Sequence, residues 1–144
     1  MMLKIILITL SIFTAIFLAA GCTEEATTQP PSEEESETIP KPLFSDIQDK
    51  VFTPICDRPG CHGTTNTQVN LLLREGEAYQ NLVGVPSLLF PGMTRVIPDS
   101  SSKSLLIKIL KGEVSPRMPL DGPFLEDAII DSIAKWIDNG AINN

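Results

Sequence analysis

The chain is poor in the side chains from which metal sites are usually assembled: of its 144 residues, one is histidine and three are cysteine. A structural zinc site takes four ligands from cysteine, histidine or carboxylate, so this inventory is poor ground for zinc. Basic residues are also scarce, with 11 Lys and Arg against 18 Asp and Glu and a formal net charge of -7. Binding a phosphate backbone needs a basic face, which sets nucleic acid aside as a partner. Acidity of this kind serves solubility and orients basic partners by long-range attraction. Strand-like alternation is nearly missing and no segment repeats, so the pattern points to an all-α fold with long loops. The longest apolar run, 5–20, is broken by Thr9, Ser11 and Thr14 and falls slightly short of the roughly 20 residues that span a bilayer.

That run follows Lys4 and ends in small residues at Gly21-Cys22, the pattern of a signal peptide. Leu18-Ala19-Ala20-Gly21-Cys22 resembles the lipobox of bacterial lipoproteins, although Ala19 stands where that family most often has Leu. The resemblance implies a cut after Gly21 and lipid on Cys22. A signal peptide over 1–21 is therefore expected, with an uncleaved helical anchor as the alternative. Either way the remaining chain lies outside the cytoplasm on a membrane surface, and Thr23 in place of Asp points to an outer membrane where the cell has one. Losing the signal removes Lys4 alone, so the mature chain stays acidic.

Residues 22–42 read as a tether. Glu24, Glu25, Glu33, Glu34, Glu35 and Glu37 face only Lys41, and prolines stand at 30, 31, 40 and 42. Such a stretch buries too little apolar surface to offset the entropy of ordering it, and its self-repelling carboxylates favour an extended chain. The folded domain is expected over 43–144. Phe44, Ile47, Val51 and Phe52 have helical spacing, with Pro54 as the stop. A short helix is expected over 77–83, stopped by Gly84 and Pro86, whereas 69–73 is too short to assign. Pro91-Gly92 marks a turn. A helix over 102–110 places Leu105, Leu106, Ile109 and Leu110 on one side and ends at Gly112. After a Pro/Gly-rich loop over 115–123 comes the strongest helix, 126–139, with a stripe of Ile129, Ile133, Trp136 and Ile137 and a stop at Gly140.

With Cys22 assigned to lipid, Cys56 and Cys61 remain as a close pair, and the sole histidine, His62, follows directly. Cys56-Asp57-Arg58-Pro59-Gly60-Cys61-His62 is the covalent haem-attachment signature with four residues between the thiols in place of the usual two. Two thiols add across the haem vinyl groups as thioethers, and the next residue is placed under the iron as proximal ligand. Pro59-Gly60 can fold the surplus into a tight turn, and Gly63 is expected to leave room for backbone against the porphyrin. Rival readings concern the same residues. The pair forms a loop-stapling disulfide in an oxidising compartment, or a redox dithiol, which normally has two intervening residues at a helix start. Only haem explains why the one histidine is attached to the pair.

An electron-transfer haem needs a sixth ligand, and thioether sulfur suits it while raising the potential. After removal of the signal peptide, the methionines are Met93 and Met118. Met118 lies in Ser115-Pro116-Arg117-Met118-Pro119-Leu120-Asp121-Gly122, a loop stiffened by prolines, and is the expected distal ligand. Met93, in Pro91-Gly92-Met93-Thr94, competes for the position.

Taken in order, Phe44-Ser45-Asp46-Ile47, Cys61-His62-Gly63, Ile97-Pro98-Asp99-Ser100 with Ser104-Leu105-Leu106, Arg117-Met118-Pro119 and Trp136-Ile137-Asp138-Asn139-Gly140-Ala141 resemble the planctomycete-type single-haem cytochrome c domains. The likeness covers nearly all of 44–141. It implies a small class I cytochrome c-like fold, one covalent haem c, His62 proximal and Met118 distal. The chain departs from that pattern in its longer Cys-to-Cys loop and in Glu126, where the family tends to have Ser or Thr. Single-electron transfer with redox partner proteins is the expected activity, with no small-molecule substrate and an apolar shell of Phe44, Phe52, Leu106 and Trp136. A haem enzyme or gas sensor with an open sixth site, and a haemless disulfide-stapled binding module, are the alternatives.

Overall fold

The computed structural model describes residues 38–63 and 68–144; the expected signal peptide, Cys22 and the tether as far as residue 37 lie outside the described residues. Among the described residues there are four α-helices, α1 (Phe44–Ile47), α2 (Ala78–Leu82), α3 (Leu105–Lys111) and α4 (Asp127–Asp138), with 3-10 turns at Gln68–Asn70 and Ser101–Lys103. Among the described residues there is no strand, only isolated bridges between Val83 and Val96 and between Pro86 and Thr94. The all-α expectation holds at this level. No helix among the described residues is long and apolar enough to cross a membrane.

The first helical segment does not stop at Pro54. It runs on from α1 as a wider π-type coil over Gln48–Cys56 with Pro54 inside it. In a regular α-helix the proline ring meets the carbonyl four residues back, and a coil of larger radius keeps the chain winding without that clash. The coil closes with the Asp57 amide donating to the Phe52 carbonyl, five residues back, at 2.7 Å. This wide turn delivers Cys56 to the end of a helix and not to a free loop.

Helix α1 lacks a cap of its own. Asn144 supplies one, its side-chain Oδ1 accepting from the Phe44 amide at 2.9 Å and its backbone carbonyl from the Ser45 amide at 2.9 Å. The folded body also reaches back beyond Leu43, because Pro40 is buried and its carbonyl accepts from Ser132 Oγ.

Phe44 is the hub of the core. Its ring centroid lies 5.2 Å from Tyr79, edge to face, 5.4 Å from Trp136 and 6.2 Å from Phe52, distances at which aromatic pairs add to simple area burial. Trp136 is 1% exposed and donates its indole N–H to the Ile142 carbonyl at 2.8 Å. Helix α4 is one residue shorter at each end than the expected 126–139 and has a slightly rotated face: Ile130, not Ile129, is fully buried with Ile133, Trp136 and Ile137. The same small rotation occurs in α3, which begins at Leu105 and buries Ile107 while Ile109 is half-buried. Ser104 precedes α3 without capping it. Fully buried, it spends its hydroxyl on the Ile97 amide at 2.8 Å and the Ser100 carbonyl at 2.9 Å. Gly112 (φ 76) and Gly140 (φ 94) end α3 and the last helix where expected, since a left-handed residue past the last turn is most readily glycine.

Two segments distant in sequence are sewn together here. The Asp99 amide donates to the Ile137 carbonyl at 2.9 Å, and Asp138 accepts from the Ser101 amide and hydroxyl, each at 2.8 Å. Residues 97–100 and 136–140 are thus joined by the docking of the α3 entrance on the end of α4.

Trp136→Ala removes the largest fully buried side chain and a part-buried hydrogen bond; urea denaturation should show a loss of about 3–5 kcal/mol, the range for large aromatic truncations. Asp46 offers a test with pH. Its carboxylate accepts from the Lys41 amide and pairs with Lys50 at 3.3 Å, and chiefly that amide holds its pKa below the ordinary 3.8. A depressed folded-state pKa gives stability that is full above the unfolded value and is lost as pH falls through the folded one. The wild type should thus exceed Asp46→Asn by under about 1 kcal/mol from neutrality down to roughly pH 5, and the gap should close on acidification through the lowered pKa.

Candidate functional site

Cys56, Cys61 and His62 share one compact loop. From the end of the π coil, the Cys56 carbonyl accepts from the Arg58 amide at 2.9 Å and again from the His62 amide at 3.2 Å. Between these contacts, Arg58-Pro59-Gly60-Cys61 closes a β-turn with the Cys61 amide on the Arg58 carbonyl at 3.0 Å. Proline second and a glycine of positive φ (83) third suit a type II turn. The four intervening residues are folded outward as the Pro59-Gly60 pair suggested. Arg58 covers the base of the loop by donating to the Pro54 carbonyl at 3.3 and 3.4 Å.

The structure gives Gly63 a reason to be glycine besides the expected one. A Cβ there would lie 2.3 Å from Asp57 Oδ1 and 2.9 Å from the Asp57 carbonyl carbon. Glycine is required because the loop closes on its own first residue, so room for a porphyrin plane is not needed to explain it.

Both thiols are free; Cys56 is half-buried against the core and Cys61 is exposed. Burial pushes the Cys56 thiol up to about 12, because a thiolate loses its hydration there. His62 is half-buried, and its Nδ1 lies 3.0 Å from the Leu71 carbonyl. A carbonyl carries no proton, so Nδ1–H is the donor. The lone pair of the neutral ring is then on Nε2. Burial holds the His62 pKa below its usual 6.5, the Leu71 hydrogen bond opposes this, and the nearby Arg95 charge adds to the lowering. A neutral imidazole with one nitrogen tied to a backbone carbonyl and the other bare is the usual state of a metal-ligating histidine.

The partner of that hydrogen bond sits in a strained segment. Val69 (φ 56) and Asn70 (φ 52) are left-handed non-glycine residues in succession, a conformation costing on the order of 1–3 kcal/mol each. From there the chain passes Leu71, whose carbonyl meets the His62 ring, and Leu73, whose amide donates to the His62 carbonyl at 2.9 Å. Residues 69–73, unassigned from sequence, are thus a strap across the histidine.

Met118 stands on the Pro/Gly-rich loop after α3, which passes through cis bonds at Ser115-Pro116, Met118-Pro119 and Gly122-Pro123. Its amide donates to the Ile109 carbonyl at 3.1 Å and its side chain is half-buried against the core that also receives Cys56. Arg117 beside it donates to the Leu110 carbonyl at 2.9 Å and lies 4.2 Å above the Phe124 ring. Met93 is half-buried in a turn where its amide donates to the Phe90 carbonyl at 3.0 Å. Phe44, Phe52, Leu106 and Trp136 all belong to the buried core. A cleft of about 310 Å³, lined in part by Phe44, Gln48, Glu75 and Tyr79, takes none of the four candidate haem ligands into its wall.

Among the described residues no three His, Cys, Asp or Glu side chains converge, and a four-ligand zinc site of the usual kind is not assembled there. Cys56, Cys61 and His62 share the one loop, and Met118 packs against the same core as Cys56. Compared with protein-family models, curated proteins and solved structures, the chain finds no match.

Unequal burial gives a direct test in the colourless chain carrying Cys22→Ser. At pH 8 the rise of the Cys56 thiol from 9.0 to about 12 cuts its thiolate about a thousandfold. One equivalent of iodoacetamide should therefore enter quickly, at Cys61, and the second only with denaturant. Labelling that needs prior reduction would instead reveal a disulfide.

Proposed function

We propose that the chain is a c-type cytochrome that carries single electrons outside the cytoplasm. Within that class, the reading is of a monohaem domain like the planctomycete-type cytochromes it resembles, held to a membrane by lipid on Cys22. One observation carries the proposal: the only histidine follows a free thiol directly and gives its Nδ1 proton to the Leu71 carbonyl. Cys56 and Cys61 would hold a haem by thioether bonds, and His62 Nε2 and the Met118 sulfur would ligate its iron. When bound, the group supplies a one-electron Fe(II)/Fe(III) couple.

The chain's own residues set the conditions for that couple. Leu71 keeps the imidazole in one tautomer and orientation and raises the basicity of Nε2. Anchored by its amide on Ile109, Met118 offers a soft sulfur of the kind that raises a haem potential. Cys56 and Met118 both pack against the apolar core. The excess of carboxylates biases docking toward a basic redox partner, and the fold is read as class I cytochrome c-like.

The full chain, matured with a competent haem-attachment system, should stain for haem after denaturing electrophoresis and should show a methionine-to-iron charge-transfer band when oxidised. Met118→Ala should lose the band, bind carbon monoxide and fall in potential, whereas Met93→Ala should do none of these. A wild type without covalent haem, with Cys56 and Cys61 joined to each other by intact mass, refutes the proposal. Haem with no such band, and ready carbon monoxide binding in the wild type, would favour a sensor or enzyme over a carrier.

A further inference from the structure

Arg95 is 6% exposed, yet no salt bridge among the described residues includes it. Its guanidinium is spent on backbone carbonyls. Nη2 donates to Val69 at 2.8 Å and to Asn70 at 3.4 Å, while Nη1 donates to Asn81 at 2.8 Å and to Asn70 at 3.4 Å. Two of these three carbonyls belong to the successive left-handed residues, and Leu71 comes next. The third lies in the last turn of α2, where a helix end favours a cation. The backbone around Arg95 is itself fixed, its amide donating to the Val85 carbonyl at 2.8 Å and its carbonyl accepting from the Leu106 amide at 2.9 Å. A planar fork with five donors can bridge several carbonyls in fixed directions, which a lysine ammonium cannot.

We propose that Arg95 is a positioning residue for His62: by gripping the Val69 and Asn70 carbonyls it fixes the left-handed turn from which Leu71 offers its carbonyl to the imidazole, leaving Nε2 bare. In giving that nitrogen to iron, the inference rests on the proposed haem attachment; the chain of contacts from Arg95 to Nδ1–H does not. A buried charge held only by carbonyls is a costly way to close a loop, and the strained turn it closes leads directly to the one histidine.

The test reads the imidazole nitrogens by NMR in the full chain labelled with 15N-histidine, where a single histidine makes the assignment unique. Both the reduced haem-loaded protein and the colourless chain are measured. The wild type should carry its proton on Nδ1 and exchange it slowly. Arg95→Gln should speed that exchange by about tenfold or more, the worth of roughly one lost hydrogen bond, and in the colourless chain should shift the proton partly to Nε2. Arg95→Lys should fall between. Val69→Gly, which accepts φ 56 freely, should restore much of the slow exchange when added to Arg95→Gln, a rescue that a merely structural arginine would not show. Far-UV circular dichroism reports whether each variant is folded, and if Arg95→Gln is not, Arg95→Lys alone and with Val69→Gly carries the comparison. Wild-type exchange and tautomer in a folded Arg95 variant, or no rescue by Val69→Gly, would overturn the proposal. A wild type that takes up no haem would defeat the haem reading only, because the ring is read in the colourless chain as well.

Discussion

The hydrogen bond from His62 Nδ1 to the Leu71 carbonyl is the contact on which the functional reading depends. It turns a generic histidine into one with a fixed tautomer and a single available nitrogen. It also sets demands on the surrounding chain. Leu71 presents its carbonyl directly after two left-handed residues, and Arg95 donates to the carbonyls of both. A local motif of seven residues is thus completed by a carbonyl nine positions on and an arginine thirty-three positions on, and the rest of the fold keeps those parts in register.

That register comes from the other end of the molecule. Phe44 on α1, Tyr79 beside α2's start and Trp136 on α4 meet in one aromatic cluster, so the coil that carries Cys56 is fixed to the last helix. The chain's final residues strengthen the join: Asn144 caps α1, Ile142 receives the Trp136 indole, and the Ala141 carbonyl receives the Tyr79 hydroxyl at 2.9 Å. Much of this cohesion is side chain to backbone rather than helix to helix. With short helices and long loops, such bonds keep buried backbone groups satisfied where no regular element does so.

What could be read from sequence follows the physics of each element. The last helix and its Gly140 stop were legible because a stripe at period 3.6 and a glycine past the final turn are local signals. The choice between Ile129 and Ile130, or Ile107 and Ile109, was not, because adjacent apolar residues both suit a stripe and only the neighbouring helix decides. Pro54 reads as a stop since an α-helix cannot absorb it; a π-type coil can, and no composition rule announces one. The thiols, His62 and the Pro59-Gly60 turn were legible as a motif. Leu71 and Arg95 were not. A carbonyl acceptor has no side-chain signature, and an arginine between Thr94 and Val96 reads as exposed until the 69–70 turn is known to close over it.

The unusual length of the cysteine loop bears on how such a motif is specified. Haem attachment constrains where two sulfurs and one imidazole stand relative to one another, and residue count matters only through that placement. Here the Cys56 carbonyl accepts from the His62 amide at 3.2 Å, with a type II turn looped out between them. The ends of the motif are brought together by a backbone contact that does not depend on how many residues lie inside the excursion. Closing a loop two residues longer adds well under about 1 kcal/mol of entropy, and Pro59, whose ring fixes its φ, lowers that cost. Gly63 then lets the loop fold down on Asp57, where any side chain would collide. Arg58, Pro59 and Gly60 form an exposed excursion from the loop, while the imidazole that follows it is held by Leu71.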